Sequence, residues 1–544
     1  MAAVQVHLLL SYISLLVAAC NAWIIDPGPQ VTATKGEVWP KPQEEQKEDS
    51  YYILSPTYFH FNIISEYCSI LQEAKLRYTE IILGDKRIAK KYANGNDTRR
   101  ELKTDKFLGY LKSLDVSLTE PCTGSELPEL HMDENYTLTI PSATTQQPLL
   151  RAKSIWGILR GLETFAQSIY SYVNDANLYL NVSKIVDYPR FPHRGLLLDT
   201  SRHYLTVDVI YKHLDAMSYS KMNVFHWHIV DDQSFPFQSS SFPELSEKGA
   251  YHPRYQIYSA DDVKAILEYA RLRGIRVVVE FDTPGHTRSW GEGIPELLSS
   301  CYNNNELTNR FGPMDPSKDF VFSFLNDFFR EIKSVFPDKH VHLGGDEVPF
   351  DCWEGNPDID AFMTRINISG NYQALQRYFM QRLMNITSSK EIVNIVWEEV
   401  FNAGTAMPSD TIIQVWYSQY YKLDEITLSG RRVLYSTCWY LDHLSNGGDW
   451  KKYYFCDPQN FNGNEEQLKL ILGGEACMWA EVVDNQNVLQ RTWPRAAATA
   501  EKLWSAYNAD DIDYAARRME EHACRLNRRG IPAQPPNGPG YCLL

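Results

Sequence analysis

His340-Val-His-Leu-Gly-Gly-Asp-Glu-Val348 sets an adjacent carboxylate pair, Asp346 and Glu347, behind a short apolar run that ends in two glycines. A strand that stops at Gly-Gly and then presents two acids suits the rim of a barrel, where loops carry the chemistry. Neighbouring residues on a regular strand point to opposite faces, so both acids serve one pocket only if the chain bends there. Glycine permits that bend. An Asp-Glu pair by itself is most often solvated or salt-bridged, so its meaning comes from the chain around it.

Outward from this stretch, apolar runs alternate with helical patterns from Pro189 onward, the signature of βα units. The runs are Gly195–Leu198, Asn223–His228, Ile275–Glu280, Val341–Gly345, Ile392–Trp397, Ile412–Trp416, Val433–Ser436 and Leu470–Glu475. Helical stretches lie between them at Asp208–Tyr219, Ala260–Leu272, Asp319–Phe336, Gln373–Met384 and Pro494–Trp504. Eight runs with crossovers over roughly 250–330 residues predict a (β/α)8 barrel spanning 188–544. A doubly wound sheet would carry a Gly-rich phosphate turn after an early strand, and the sequence has none there.

Residues 23–187 differ in texture. Pro27–Glu48 is rich in Pro, Lys and Glu and reads as extended and exposed. A helix around Ser65–Tyr78, a charged stretch at Lys86–Lys106, strands at Tyr110–Thr119 and Tyr136–Ile140, and a helix over Ser154–Ile169 predict a smaller α+β domain. It holds no cluster of acids, His or Cys that suggests an active site. Met1–Ala22 reads as a secretory signal, with an apolar core at Leu8–Ala19 and a small residue at its end, although no Lys or Arg precedes the core. A lipoprotein leader modified at Cys20 is the alternative. Sequons at Asn96, Asn135, Asn181, Asn367 and Asn385 favour a eukaryotic secretory route. No later run reaches the ~20 apolar residues needed to span a bilayer, so no stable membrane insertion is expected. The formal net charge of −15 argues against nucleic acid as a partner.

The predicted strand ends gather the polar residues: Asp199 to His203, His226-Trp-His228 with Asp231, Glu280-Phe-Asp282 with His286, Asp346-Glu347, Trp397, Trp416, Trp439-Tyr440-Leu-Asp442, and Trp479-Ala-Glu481. Function sits on this rim in barrel enzymes. Any one tryptophan there is more often core than ligand wall. Four of them with a tyrosine suit a sugar, whose C–H faces stack on aromatics while acids and Arg take its hydroxyls. His226-Trp-His228 raises a metal-dependent amidohydrolase as a rival, but such enzymes usually place that motif on the first strand, and here it closes the second. A third reading, a sugar-binding protein on an inactive scaffold, sits poorly with a full set of acids.

These motifs together, with Arg194-Gly-Leu-Leu-Leu-Asp-Thr-Ser-Arg202 and Gly474-Glu-Ala-Cys-Met-Trp479-Ala-Glu481, resemble glycoside hydrolase family 20 of the lysosomal β-N-acetylhexosaminidase type over nearly the whole mature chain. The resemblance implies removal of terminal β-linked GlcNAc or GalNAc with retention, without cofactor or metal. It implies an intermediate made by the substrate's own acetamido oxygen, an exception to the two-carboxylate scheme. Glu347 would be acid and then base, its pKa raised by burial near Asp346. Asp346 would hold the acetamido N–H and Tyr440 the acetamido oxygen. Trp397, Trp416 and Trp479 would wall the methyl group. Asp231 and His286 would support the acid, and Arg202 and Glu481 would grip outer hydroxyls, with Arg194 structural. Asp442 matches the β type of animal chain, which disfavours a 6-sulfate, while His443 matches neither type. The resemblance also implies a homo- or heterodimer in the lysosome or outside the cell.

Ten cysteines are present, and losing Cys20 with the leader leaves an odd number. Cys68–Cys122, Cys301–Cys352 and Cys524–Cys542 are expected disulfides and Cys477 a buried free thiol. The resemblance assigns Cys438 and Cys456 no partner, and a fourth bridge between them stays open.

Overall fold

The computed structural model describes residues 31–544 apart from 56–57, 65–67, 94–105, 305, 444–447 and 509–510. The signal segment and Asn96 lie outside the described residues. Eight parallel strands close into a barrel in chain order: His193–Asp199, Val224–His228, Arg276–Glu280, His340–His342, Val393–Trp397, Ile412–Val415, Arg432–Tyr435 and Ile471–Met478. We number them first to eighth. Between strands run helices such as Val207–Tyr219, Ala260–Arg271, Asp319–Val335, Tyr372–Ser388 and Arg495–Trp504. Ser259 caps the second of these with Asp262 in a reciprocal pair of hydrogen bonds.

The period of two divides each strand between two environments. Phe225 and Trp227 face outward into the large core under the helices. Val224, Val278, Ile395, Ile412, Leu434 and Leu472 pack together inside the barrel, and above them the filling turns polar with His226, Gln414 and Glu475. Gly195 pairs with Glu475, and a side chain there would collide with that carboxylate. Pairing of Asp199 with His228, His228 with Glu280 and Glu280 with His342 carries the polar layer around the barrel.

The preceding residues form a seven-stranded sheet, ordered His60–Ile63, Ser113–Leu118, Leu149–Ala152, Tyr136–Ile140, Tyr179–Asp187, Glu44–Leu54 and Phe107–Leu111. Helix Ile155–Ser168 is buried at every residue because it is sandwiched between this sheet and the barrel. Arg160 donates to the carbonyls of Arg273 and Gly274 at 3.1 and 2.8 Å. The helix predicted around Ser65–Tyr78 spans Ser69–Tyr92 and takes in part of the charged stretch. Its buried face continues through Ile82 and Ala89, so the lysines between occupy the outer face.

Pro27–Glu48 is not simply an exposed lead-in. Trp39 is fully buried in the barrel's helical layer and donates from Nε1 to the Ala497 carbonyl at 2.9 Å, and Glu44 begins a sheet strand. Pro40 and the charges around it hide this anchor from a composition reading. After the third barrel strand a hairpin, Leu298–Asn303 with Glu306–Met314, adds a wall the sequence reading missed. The structure contains disulfides Cys68–Cys122, Cys301–Cys352, Cys524–Cys542 and Cys438–Cys456, with Cys477 buried and free. Asn135, Asn367 and Asn385 are exposed. Asn181 is half-buried, donating to the Glu48 carbonyl at 2.8 Å and accepting from Tyr170 at 2.8 Å. Among the described residues, no helix is long and apolar enough to cross a membrane.

Candidate active site

The fourth strand ends at His342, and the chain turns sharply through Gly344 and Gly345 at φ +69° and +98°. That region of backbone space favours glycine. Space demands it as well, because a side chain on Gly344 would enter the Asp282 carboxylate. The Gly345 N–H donates to Asp282 Oδ1 at 3.0 Å. Glu347 follows at φ +46°, a cost of order 1–3 kcal/mol for a residue with a Cβ. The bend brings both acids to one imidazole: His286 Nε2 lies 3.7 Å from Asp346 Oδ2, 3.7 Å from Glu347 Oε2 and 3.9 Å from Asp282 Oδ2.

The two acids sit differently. The Asp346 side chain is 12% exposed and that of Glu347 59%. Expected burial of Glu347 is therefore not found; its carboxyl is exposed to solvent. Asp346 Oδ1 and His286 Nε2 are buried without a hydrogen-bond partner among the described residues.

Behind His286 stands Asp231, 3.1 Å from Nδ1 through Oδ1, while its Oδ2 meets His228 Nε2 at 2.8 Å and Arg202 Nη2 at 2.8 Å. Burial alone would raise the Asp231 carboxyl, but hydrogen bonds from His228 and His286 and the Arg202 charge hold it well below the usual carboxylate range. Burial would likewise discharge His286, yet the acids Asp282, Asp231 and Asp346 push its pKa well above the ordinary value. Asp282, buried beside Asp346, is driven the other way, toward its neutral form. The 3.7 Å step from His286 to Glu347 is a charge contact rather than a hydrogen bond.

Arg202 also reaches Asp199 Oδ2 at 3.1 Å and Glu481 Oε1 at 3.6 Å, and lies over the Trp479 ring at 5.1 Å. These acids lift its pKa further despite burial. Trp479 in turn packs with Trp397, Trp416 and Tyr440 in one cluster with Leu197 and Cys477. Trp416 and Tyr440 stack at 5.9 Å, and Trp397 and Trp479 approach to 6.2 Å. Tyr440 is set by backbone pairing of its neighbours with Cys477 on the eighth strand, and the Cys438–Cys456 bridge brackets the same segment. Asp442, pushed up by burial and opposed by His443, ends this wall with its Oδ1 unpartnered among the described residues. Arg194 is buried away from the pocket, on Glu134 at 2.6 Å.

Sequence reading left several groups unassigned. Glu280 accepts from Trp397 Nε1 at 2.9 Å. Glu399 accepts from Trp416 Nε1 at 3.1 Å on each oxygen, and burial beside Asp346 pushes its pKa up to about 8. His226 shares hydrogen bonds with Glu475 and Glu280, and His228 with Glu280 and Asp231. All four ring nitrogens of the motif that suggested a metal hydrolase are thus engaged with carboxylates. Glu280-Phe-Asp282 and His226-Trp-His228 are polar residues two apart in apolar strands, the signal that identifies inward positions.

The family model for the catalytic domain of glycosyl hydrolase family 20 matches residues 191–507, and one described as β-acetyl hexosaminidase-like matches 38–168. The chain belongs to glycoside hydrolase family 20. It is an enzyme of the β-N-acetylhexosaminidase type. Beta-hexosaminidase subunit alpha of Bos taurus is 45% identical over 93% of this chain and 94% of its own length. Subunit beta of Mus musculus is 47% identical over 87% and 86%. Among solved structures, a chitobiase of Flavobacterium johnsoniae superposes with TM-score 0.77 at 29% identity, covering 91% of this chain and 73% of that one.

Proposed function

We propose that this family 20 enzyme removes terminal β-linked GlcNAc and GalNAc from the non-reducing ends of neutral glycans by substrate-assisted hydrolysis with retention. The observation that carries this reading is the Gly344-Gly345 turn, which aims Asp346 and Glu347 at the same imidazole beside a four-ring aromatic wall. Glu347 gives its proton to the glycosidic oxygen as the acetamido oxygen attacks the anomeric carbon. The leaving alcohol departs with that proton, and an oxazolinium ring remains. Asp346 accepts the acetamido N–H and faces the positive charge that develops. Tyr440, whose proton burial holds on strongly, donates to the acetamido oxygen. Glu347, now a carboxylate, then takes a proton from the water that opens the ring, and the sugar leaves with its original anomeric configuration. Arg202, Asp442 and Glu481 hold the outer hydroxyls. Trp397, Trp416 and Trp479 enclose the methyl group.

The relatives are named as subunits alpha and beta, which supports assembly of this chain as a homo- or heterodimer, and their kind supports a lysosomal or secreted location. Conversion of Glu347→Gln tests the reading. Turnover of an unactivated disaccharide is expected to fall ~10²–10⁴-fold, with a good aryl leaving group largely spared. Equal turnover of the disaccharide by variant and wild type would remove Glu347 from the acid role.

A further inference from the structure

The catalytic reading leaves several buried carboxylates without a task, Glu280 among them. Glu280 closes the third barrel strand, fully out of solvent. Its Oε1 accepts from Trp397 Nε1 at 2.9 Å and lies 2.8 Å from His342 Nδ1. Its Oε2 meets His228 Nδ1 at 2.6 Å and His226 Nε2 at 3.0 Å. A carboxylate offers about four lone-pair sites, and three of them take hydrogen bonds here, one on Oε1 and two on Oε2, so the group cannot turn without breaking contacts on both sides.

We propose that Glu280 is a positioning residue that couples the two halves of the site, fixing the acetamido wall through Trp397 and the acid's support through His228, Asp231 and His286. This rests on the proposed roles of Glu347 and Trp397. The path to the acid is continuous: Glu280 to His228 at 2.6 Å, His228 to Asp231 at 2.8 Å, Asp231 to His286 at 3.1 Å, and His286 to Glu347 at 3.7 Å. The path to the wall is one hydrogen bond. Trp397 is itself almost fully buried, so its indole tilt follows Glu280.

Charge supports the arrangement. Burial by itself would discharge these imidazoles, but Glu280 and Asp231 push the pKa of His228 up to about 9, and Glu475 and Glu280 push that of His226 up to about 10. Glu280 is held well below the carboxylate range in return. Positive and negative groups therefore alternate from the barrel interior to the rim, and a neutral residue at 280 would break the alternation at its centre. In a low-dielectric interior such a network transmits the loss of one member to its neighbours.

Three substitutions separate the branches: Glu280→Gln, His228→Gln and Trp397→Phe. Each is assayed on an unactivated GlcNAc disaccharide, on an aryl glycoside with an acidic phenol, and on the N-propionyl analogue of that aryl glycoside. His228→Gln is expected to lower kcat on the disaccharide about tenfold or more and on the aryl glycoside far less, since only proton delivery suffers. Trp397→Phe is expected to alter discrimination between acetyl and propionyl, equally for both leaving groups. Glu280→Gln is expected to show both signatures at once. A Glu280→Gln enzyme with only one signature, or with neither, overturns the coupling. If that variant does not fold, the double variant His228→Gln with Trp397→Phe decides. Coupling of about threefold or more beyond the product of the single effects supports a shared anchor, and independent effects refute it. Glu347→Gln run alongside separates the two readings. If its loss is independent of the leaving group, the acid assignment fails. If it depends on the leaving group while Glu280→Gln shows no such dependence, the inference about Glu280 fails alone.

Discussion

Two clusters of buried charge lie on either side of the first barrel strands, and they end differently. In the cluster between the domains, Glu134 takes Arg160 at 2.8 Å and Arg194 at 2.6 Å. Asp187 takes Lys221 at 2.7 Å, Tyr136 at 2.6 Å and Trp504 at 2.9 Å. None of these side chains leaves a buried nitrogen or oxygen unpartnered among the described residues. At the rim, the chain of pairs from Glu475 ends at His286, and His286, Asp346 and Asp442 each carry an atom unpartnered among the described residues, with Glu347 open to solvent. Closed networks hold a fold together. A network that stops short holds groups ready for something that arrives later, and the unmet hydrogen bonds are its binding energy in reserve.

Lys221→Met attacks the closed cluster. Removing one partner leaves Asp187 buried and uncompensated, at a cost of ~3–5 kcal/mol to stability. Denaturant titration reads the loss, and kcat/KM per folded molecule is expected to change less than twofold. A large loss of specific activity in well-folded protein would merge the two clusters into one functional unit.

Asp346→Asn attacks the open cluster and is expected to do the reverse. Transition-state stabilisation of ~3–4 kcal/mol disappears, and a thiazoline analogue of the oxazolinium binds correspondingly weakly. Stability should hold or rise, because one of the three acids crowded at His286 Nε2 has gone. A variant that loses melting temperature in step with activity would show that the rim charges are structural.

A smaller effect is expected at Asp442 and His443. Like charge between Asp442 and a 6-sulfate costs on the order of 1–4 kcal/mol in a partly screened site. Asp442→Asn with His443→Arg is therefore expected to raise kcat/KM for 6-sulfo-GlcNAc about tenfold or more and leave the neutral sugar nearly unchanged. Wild-type discrimination should fall as the pH drops, since burial favours the neutral Asp442 carboxyl. Equal cleavage of sulfated and neutral substrates by the wild type would sink this reading of the loop.

The smallest effect concerns Glu399, raised from 4.5 to about 8 by burial and then by Asp346. Between those values the folded state binds a proton that the unfolded state has released, so this group's contribution to stability falls as pH rises from about 4.5 to 8. Below 4.5 both states are protonated and the contribution is complete. Melting curves across that window should be flatter for Glu399→Gln than for the wild type. Parallel curves would mean the carboxyl ionises normally.

The contrast also explains what was legible in the sequence. The eight strands could be read because apolar runs of fixed spacing mark a parallel barrel, and the rim residues because they follow those runs. The polar filling could be located but not assigned: His226, Glu280 and Glu475 sit in strands buried on both faces, where sequence does not tell which carboxylate meets which imidazole. Glu399 stands beside Glu398, and nothing in the pair tells which one faces Trp416. Trp39 was lost among prolines and charges, although it anchors the N-terminal segment to the helical layer. The Cys438–Cys456 bridge was undecidable from spacing, since partner choice depends on where the loop after the seventh strand folds.

The bridge from Cys301 to Cys352 joins the hairpin after the third strand to a turn residue five positions beyond Glu347. Its sulfur packs against Gly312 on that hairpin. The acid-bearing loop is thereby riveted to a neighbouring wall by covalent chemistry that only an oxidising compartment supplies. Strand pairing can complete a barrel anywhere in a cell, but the mouth of this one matures where thiols are oxidised. The redox history of each molecule is thus written into how firmly the loop of Glu347 is held.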